Sequence, residues 1–241
     1  MVLPIEIYYW PTPNGHKITI AVEEMGIPYE IRRVNIGAGE QFRPEFLAIS
    51  PNNRMPAIVD PEGPDGQPIS VFESGAILQY LGRKSGSFYG RDERNRVEVE
   101  EWLFWQMAGL GPMLGQANHF RNFAASFVSD QRQLAYGANR YTNESHRLYG
   151  VLEKRLDGRD FLAGDYSIAD MAAWPWTGYS AMQGIDLAEF PKLAAWRERI
   201  GSREAVRRAM KHGEGFEQRR ANQTPAEAEA ERRLLFNQRA R

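Results

Sequence analysis

Segments that predict β-strands are confined to the first third of this 241-residue chain. Short apolar or β-branched runs predict strands at residues 5–10, 29–35, 57–60 and 69–72. Apolar spacing and the turn residues that follow it predict helices at residues 15–25, 42–49 and 74–86. This order of strands and helices is typical of a small α/β domain with a mixed sheet.

From Arg91 onward, strand patterns disappear and apolar residues recur at helical spacing. Helices are predicted at residues 97–119, 134–152, from Ser167, from Pro191 and near Arg203. The first of these contains Gly109 and Pro112, which should kink or split it. We therefore expect an α/β domain at residues 1–86 and an all-α domain at residues 92–212, joined by a short linker.

The last segment, residues 213–241, is a charged tail rich in Glu, Arg, Gln and Ala, with an apolar patch from Leu234 to Phe236. Two interpretations of this tail stay open. Its charge favours a solvated polypeptide. Alternatively, Thr224 caps and Pro225 begins a helix whose apolar patch packs on a partner.

The composition excludes several classes of function. A net charge of -1 gives no electrostatic footprint for nucleic acid. No apolar run is long enough to span a bilayer and no secretory leader begins the chain, so we expect a cytoplasmic protein without a membrane partner. The chain has no cysteine, which excludes disulfides, thiolate metal sites and a nucleophilic thiol of its own. The four histidines show no ligand spacing, so no metal is predicted.

The turn between the first strand and the first helix, residues 11–16, is the first candidate site. It combines two prolines, the Thr12 hydroxyl, the Asn14 amide and a glycine. Such a turn directs backbone N–H groups and the Thr12 hydroxyl outward at a helix N-terminus, where the dipole favours an anion. The alternative is an ordinary capped turn that binds no ligand.

Two further segments suit an extended, peptide-like ligand. A cis bond between Met55 and Pro56 would leave the Met55 backbone free to pair with such a ligand, whereas a trans bond would only begin the third strand. At the start of a helix, Ser74 and the first N–H groups could hold a carboxylate, and Glu73 an ammonium. The alternative there is a capping residue beside a dipole-stabilising acid.

Two patterns in the helical part are interpreted as structural. Ser167 and Asp170 match a capping box, so Asp170 is expected to stabilise a helix start and not to act as a base. An aromatic-rich set should lie mostly in the core, with one or two members lining an apolar acceptor pocket. Its members are Trp102, Phe104, Trp105, Met113, Trp174 and Trp176.

Together these features resemble the glutathione transferase superfamily, whose fold is a thioredoxin-like α/β domain followed by an all-α domain. Met55–Pro56 and Glu73–Ser74 are similar to that family's glutathione site, and residues 167–170 resemble its folding motif. The segments that look like the bacterial nu class are residues 11–17, 41–46, 49–53, 102–106, 109–116 and 174–176. The stretch 123–133 and the tail depart from the family pattern.

The resemblance implies a set of site residues. It makes Thr12 and Asn14 catalytic neighbours of the glutathione sulfur. The implied glutathione-binding residues are Asn14, Gln41, Met55, Pro56, Glu73, Ser74 and Arg140. Members of the class are homodimers, and the resemblance implies glutathione as cosubstrate with no metal.

The implied activity is glutathione-dependent reduction of small or mixed disulfides. Because the chain has no cysteine, any reactive thiol must come from the ligand. One alternative is conjugation of glutathione to an apolar electrophile, which uses the same thiolate. A second alternative is a non-catalytic binding or scaffold protein on the same fold, which would predict a degraded thiol site.

Overall fold

The computed structural model describes residues 2–236, without the side chains at positions 217 and 220. Contacts divide the chain into two units: Met1–Leu81 with Arg207–Arg241, and Gly82–Val206. The boundaries of this division differ by a few residues from the predicted domains, 1–86 and 92–212. The tail is grouped with the first unit.

The first unit contains a four-stranded mixed sheet. Its elements up to α3 are β1 (Ile5–Tyr9), α1 (Pro13–Met25), β2 (Tyr29–Arg33), α2 (Pro44–Leu47), β3 (Ala57–Asp60), β4 (Ile69–Phe72) and α3 (Ser74–Ser85). The strand order is β2-β1-β3-β4. Strand β1 pairs parallel with β2 and antiparallel with β3, which pairs antiparallel with β4. The predicted fold class and all four strands are confirmed.

Helix α1 begins two residues earlier than the apolar spacing predicts. Thr12 is its N-cap and Pro13 its first residue, where the fixed φ of proline suits a helix and its missing N–H costs nothing. The helix ends at Gly26, whose φ of 66° lies in the left-handed region that glycine tolerates. The turn is therefore shorter than predicted, and Asn14 lies inside the first turn of the helix.

Both faces of β1 are packed. Ile5, Ile7 and Tyr9 are almost fully buried on one face. Beside the end of the strand, Trp10 joins a second apolar cluster of the first unit. The buried members of this cluster are Trp10, Val34, Phe46, Met55 and Ala57, with Tyr8, Ile36, Ile49 and Phe216 packed against them. The end of β1 and the turn that follows it are thus fixed from two sides.

The second unit is helical. Its elements are α4 (Glu93–Trp105), a π-helical segment (Gln106–Leu110), α5 (Gly111–Asn122), α6 (Gln131–Arg155), α7 (Ile168–Thr177), α8 (Ser180–Gln183), α9 (Pro191–Gly201) and α10 (Glu204–Lys211), which runs into the first unit. The π-helical segment divides the helix predicted at 97–119, as its glycine and proline content indicates. Leu193, Trp196 and Ile200 of α9 are fully buried, as their spacing predicts.

The aromatic-rich set lies further from the core than predicted. All six members are half-buried or exposed, and 59% of the Phe104 side chain is exposed. Trp102 and Trp174 each lie against an arginine side chain, Arg155 and Arg197 respectively. Large amphipathic rings with a cationic neighbour are stable at partly wet positions, which the apolar pattern alone does not reveal.

The tail forms two further helices, α11 (Phe216–Ala221) and α12 (Pro225–Phe236). The helical interpretation is therefore confirmed for the residues described. Thr224 and Glu227 close the start of α12, because the Thr224 hydroxyl accepts from the Glu227 N–H at 3.3 Å and the Glu227 carboxylate accepts from the Thr224 N–H at 2.8 Å. One residue of the apolar patch, Leu234, lies against Gly39 of the same chain. The packing of the patch on a partner stays a prediction.

Candidate functional site

The Thr12 hydroxyl lies between a helix terminus and a sulfur atom. Its oxygen accepts a hydrogen bond from the Gly15 N–H at 3.3 Å. Its proton is directed at the Met55 sulfur, 3.8 Å away. A thioether is a weak acceptor, so an incoming thiolate would compete for this proton at small cost.

Met55 brings the start of β3 to the turn that follows β1. Its sulfur accepts a hydrogen bond from the Trp10 N–H at 3.1 Å. The Met55–Pro56 bond is cis, the first of the two alternatives drawn from the sequence. Within residues 2–236, the hydrogen bonds described for Met55 use its sulfur and not its backbone N–H or C=O.

Glu73 and Ser74 lie at the start of α3, which begins at Ser74 as predicted. Ser74 is the first helical residue, and Glu73 precedes it, its carbonyl accepting from the Ile77 N–H at 2.9 Å. Glu73 has a φ of 69°, a left-handed conformation that costs a non-glycine residue of order 1–3 kcal/mol. Its carboxylate accepts from the Asn52 amide at 3.4 Å. Strain of this kind concentrates at ligand sites.

Lys17 is a site residue that the sequence analysis missed. This lysine of α1 is fully buried, and its ammonium nitrogen donates to the Ser74 hydroxyl at 3.3 Å. Burial lowers the pKa of Lys17 to about 7, against the opposing attraction of Glu73. The sequence alone gives no signal for this burial. In the structure every residue from Gly15 to Val22 is buried, so α1 is covered around Lys17 as well as on its apolar face.

The His16 ring, at the end of the turn formed by residues 11–16, is buried and uncharged. Its Nδ1 atom lies 3.3 Å from the Tyr9 hydroxyl. Burial and the neighbouring His212 lower the pKa of His16 to about 4. Because the ring is uncharged near neutral pH, it supplies neither a cation for a thiolate nor a strong base.

Gln41 lies in the segment between β2 and α2. Its side chain is 2% exposed, and its amide nitrogen donates to the Ile36 carbonyl at 3.2 Å. The amide oxygen has no hydrogen-bond partner in the described part of the chain. A buried acceptor of this kind costs about 1–3 kcal/mol until a donor reaches it.

Two residues singled out in the sequence lie in the second unit. Arg140 is an exposed residue of α6, where its charge helps to lower the pKa of Glu144 after the larger effect of Arg147. Asp170 is fully buried and accepts from the N–H groups of Leu162 and Ser167. Its predicted capping box is confirmed, and burial raises its pKa to about 6.

Residues 2–236 contain neither a cluster of metal-ligating side chains nor a membrane-spanning helix. No group of three or more histidine, aspartate or glutamate side chains is arranged there to hold a metal ion. No helix in that range has the length and apolar character that crossing a membrane requires.

Two family models match the chain in the order of its two units. The glutathione S-transferase N-terminal domain matches residues 3–83, and the glutathione S-transferase C-terminal domain matches residues 120–204. The chain belongs to the glutathione S-transferase family. The resemblance drawn from its sequence motifs is thereby confirmed.

Individual relatives within the glutathione S-transferase family are similar over most of their length. The disulfide-bond oxidoreductase YfcG of Escherichia coli is 50% identical over 208 residues, which cover 86% of this chain and 94% of that protein. A Pseudomonas fluorescens family member, solved with two glutathione bound, has 43% identity and a TM-score of 0.79 over 86% of this chain and 92% of that one.

A third relative was solved with a disulfide as its ligand. The glutathione transferase of Pseudomonas putida, solved with one glutathione disulfide bound per subunit, has 42% identity and a TM-score of 0.81 over 86% of this chain and 91% of that one. These similarities confirm that the chain is an enzyme of the glutathione transferase type, with relatives named disulfide-bond oxidoreductase.

Proposed function

We propose that this protein reduces small or mixed disulfides with glutathione, and that the thiolate of bound glutathione is the nucleophile. The observation that carries the proposal is the environment of Thr12. Its hydroxyl stands at the N-terminus of α1, beside the cis Met55–Pro56 bond, with its proton held by a weak sulfur acceptor. Asn14 follows in the first turn of the same helix.

The free energy that the site must supply to lower the pKa of the glutathione thiol is modest. A free thiol has a pKa of about 8.5, and lowering it by two units takes about 2.7 kcal/mol. A helix N-terminus contributes about 0.3–2 kcal/mol, and a hydrogen bond to a charged sulfur contributes about 1.5–3 kcal/mol. The Thr12 hydroxyl and α1 together can therefore supply the shift without a general base.

The reaction then proceeds in two exchanges. The glutathione thiolate attacks one sulfur of the disulfide, forming a new S–S bond while the other sulfur leaves as a thiolate that takes up a proton. A second glutathione thiolate attacks the mixed disulfide at the glutathione sulfur, releasing the second substrate thiol and glutathione disulfide. Two glutathione thiols are oxidised for each substrate disulfide reduced. An attacking thiol works best with a pKa near the ambient pH, so a modest shift suffices.

The rest of glutathione is assigned to the neighbouring elements. Ser74 and the first N–H groups of α3 hold the γ-glutamyl carboxylate, and Glu73 holds its ammonium. The Met55 backbone before Pro56 pairs with the cysteinyl unit. Gln41 is supported as a contact by its buried and unpartnered amide oxygen. Arg140 of α6 is retained as a carboxylate ligand on the strength of the family resemblance.

The relatives support the same chemistry. YfcG carries disulfide-bond oxidoreductase in its name, and the Pseudomonas putida relative is described with glutathione disulfide, the product expected here. Membership of the nu class, a homodimeric assembly and a cytoplasmic location complete the proposal. The class and the homodimer rest on the resemblance of the sequence motifs at 11–17, 109–116 and 174–176. The location rests on the lack of cysteine and of a long apolar run in the sequence.

The absence of cysteine makes a sharp experiment possible. Purified protein is treated with an alkylating agent, freed of the reagent, and assayed with glutathione and 2-hydroxyethyl disulfide. We expect full activity after alkylation, accumulation of glutathione disulfide, and no glutathione adduct on the protein by mass spectrometry. A conjugating enzyme would also survive alkylation, but it would prefer an electrophile and leave a thioether. If glutathione disulfide forms no faster than in the uncatalysed reaction for any of several disulfides, the proposal fails.

A further inference from the structure

The segment between β2 and α2, residues 35–42, has little buried surface of its own. It forms two single turns of 3-10 helix, Ile36–Ala38 and Glu40–Phe42, joined by Gly39 with a φ of 80°. Within residues 35–42, Gln41 is the one residue that is buried. Segments with few buried contacts open locally at a low cost in free energy. The order of this segment therefore depends on what packs against it from outside.

Hydrogen bonds inside the segment tie Gln41 to the residues that precede it. The Gln41 amide nitrogen donates to the Ile36 carbonyl at 3.2 Å. The Glu40 carboxylate accepts from the Asn35 N–H at 2.7 Å, and the Ala38 N–H donates to the Asn35 carbonyl at 3.0 Å. The position of the Gln41 side chain thus follows the position of residues 35–38.

Helix α12 of the tail packs on this segment. A Cβ atom at Gly37 would lie 2.8 Å from the Glu231 carboxyl carbon, and one at Gly39 would lie 3.4 Å from the Leu234 side chain. Because these two residues have no side chain, the helix approaches their backbone closely. The Glu231 carboxylate is itself held by the Gln223 amide. The tail therefore contacts the segment on both of its glycines.

The chain that leads to α12 is fixed to the sheet of the same unit. Just before the tail, the His212 ring lies 2.7 Å from the Tyr29 hydroxyl of β2. In α11, the Phe216 ring meets the Trp10 indole edge to face, with centroids 5.5 Å apart. The Arg219 guanidinium carbon lies 5.1 Å from the centroid of the same indole. Helix α12 thus reaches the segment from an anchored base. The tail lies outside the residues that match the two family models, which therefore assign it no role.

We propose that the tail is a positioning element for glutathione binding, in which α12 holds residues 35–42 in order and the segment in turn holds Gln41 in place for the cosubstrate. Leu234 and Glu231 are its positioning residues. The Gln41 amide oxygen is buried without a hydrogen-bond partner in the described part of the chain, so it is available to a donor on the ligand.

The tail acts on affinity because it orders the segment before the ligand arrives. A site that is competent for only a fraction of the time binds more weakly by that fraction. Ordering the segment in advance removes this cost. The inference rests on the proposed function, since it takes Gln41 as a glutathione contact, and it adds residues of the tail to the support of that site.

The first test is a calorimetric titration of glutathione into full-length variants. Leu234→Asp places a charge against Gly39 and should raise the dissociation constant roughly fivefold or more. Arg233→Asp places the same side chain at the adjacent exposed position, which is paired with Glu229, and should leave the constant within about twofold. Leu234→Ala, which adds no charge, should shift the constant in the same direction as Leu234→Asp. Unchanged binding in Leu234→Asp, or equal losses in the two aspartate variants, would overturn the proposal.

The second test asks whether the tail acts through Gln41. Gln41→Ala removes the residue that the tail is proposed to position. In that background, Leu234→Asp should weaken glutathione binding by less than about twofold further, because groups that act in one chain of contacts are not additive. A general loss of stability would instead weaken binding to the same extent in both backgrounds. Additive losses in the double variant would therefore contradict the proposal.

The third measurement needs neither glutathione nor activity. Amide hydrogen exchange of the free protein is followed by mass spectrometry in peptides that span residues 35–42. We expect exchange there to be roughly tenfold faster in Leu234→Asp than in the wild-type protein and Arg233→Asp, with β1 equally protected in all three. Equal rates at residues 35–42 would overturn the proposal. If the wild-type protein binds glutathione but reduces no disulfide, the proposed function fails, while the titrations and the exchange rates still decide the role of the tail.

Discussion

The ammonium nitrogen of Lys17 lies 3.3 Å from the Ser74 hydroxyl oxygen, inside the first unit. This contact joins the helix that begins at the proposed sulfur site to the helix that begins at the proposed γ-glutamyl site. Lysine is rarely buried without a partner, because removing its charge from water is costly. The two ends of the proposed glutathione site therefore share one buried, titratable group.

Lys17 should make stability depend on pH above neutrality. Its pKa is about 7 in the folded protein and about 10.4 in an unfolded chain, so between these values the unfolded state binds more protons. The free energy of unfolding should therefore rise with pH through this window, and fall as pH decreases toward 7. In Lys17→Met this rise should be lost, whereas Lys154→Met, at an exposed position of α6, should keep it. Denaturant unfolding at several pH values measures the difference, and parallel curves for the wild-type protein and Lys17→Met would disprove it.

Thr12→Ala should impair turnover more than glutathione binding. The variant loses the proton donor proposed for the thiolate, so the pKa of bound glutathione should rise toward its free value. It also loses the N-cap hydrogen bond that the Thr12 hydroxyl accepts from the Gly15 N–H, which should cost about 1 kcal/mol of stability. Thr12→Ser keeps the hydroxyl and should retain the lowered thiol pKa. Ultraviolet titration of the bound thiol tests this, and an unchanged pKa in Thr12→Ala would remove Thr12 from the mechanism.

Glu73→Ala should weaken glutathione binding at least tenfold, which corresponds to about 1.4 kcal/mol. The expected cause is loss of the carboxylate that holds the γ-glutamyl ammonium. Glu73→Gln keeps the shape of the side chain and should lose a similar affinity if the charge is what matters. Calorimetry on folded variants measures both, and normal affinity in Glu73→Ala would leave Glu73 as a residue of the helix start alone.

The left-handed backbone at Glu73 predicts an unusual order of stability. Glycine adopts a φ near 69° without strain, whereas alanine does not. Glu73→Gly should therefore be more stable than Glu73→Ala by about 1 kcal/mol, the reverse of the order at an ordinary helical position. Thermal or denaturant unfolding of the two variants gives the comparison.

Gly15→Ala should destabilise the protein and disturb the turn. A Cβ atom at this position would lie 2.2 Å from the Trp10 carbonyl oxygen and 3.0 Å from the Tyr9 ring. Gly150→Ala, inside α6 with nothing within 4 Å of the added atom, is the matched control and should gain about 0.5–1 kcal/mol. Denaturant unfolding measures the stability of both variants. If both are more stable than the wild-type protein, or both are less stable, this reasoning is wrong.

The sheet was the most predictable part of the fold. Strands β3 and β4 have the predicted bounds, because each is a short apolar run that turn-forming residues interrupt sharply. The start of α1 was predicted less accurately, since its first turn is built from proline, asparagine and glycine and carries no apolar spacing.

Two parts of the candidate site lay beyond the sequence. The burial of Lys17 depends on which elements cover α1, and a single lysine within a helix usually indicates a solvent-facing position. The position of the tail was also undetermined, because a three-residue apolar patch does not indicate which surface, if any, covers it. Only the fold brings Leu234 to Gly39 and Phe216 to Trp10.

The packing of Phe216 on Trp10 also sets an order of events during synthesis. Phe216, the aromatic neighbour of Trp10, is synthesised about 200 residues after it. At roughly 5–20 residues per second, the first strand waits on the order of ten to forty seconds for that neighbour. The helical unit is translated in full within this interval. The apolar cluster around Trp10 is thus completed only after the helical unit has been made.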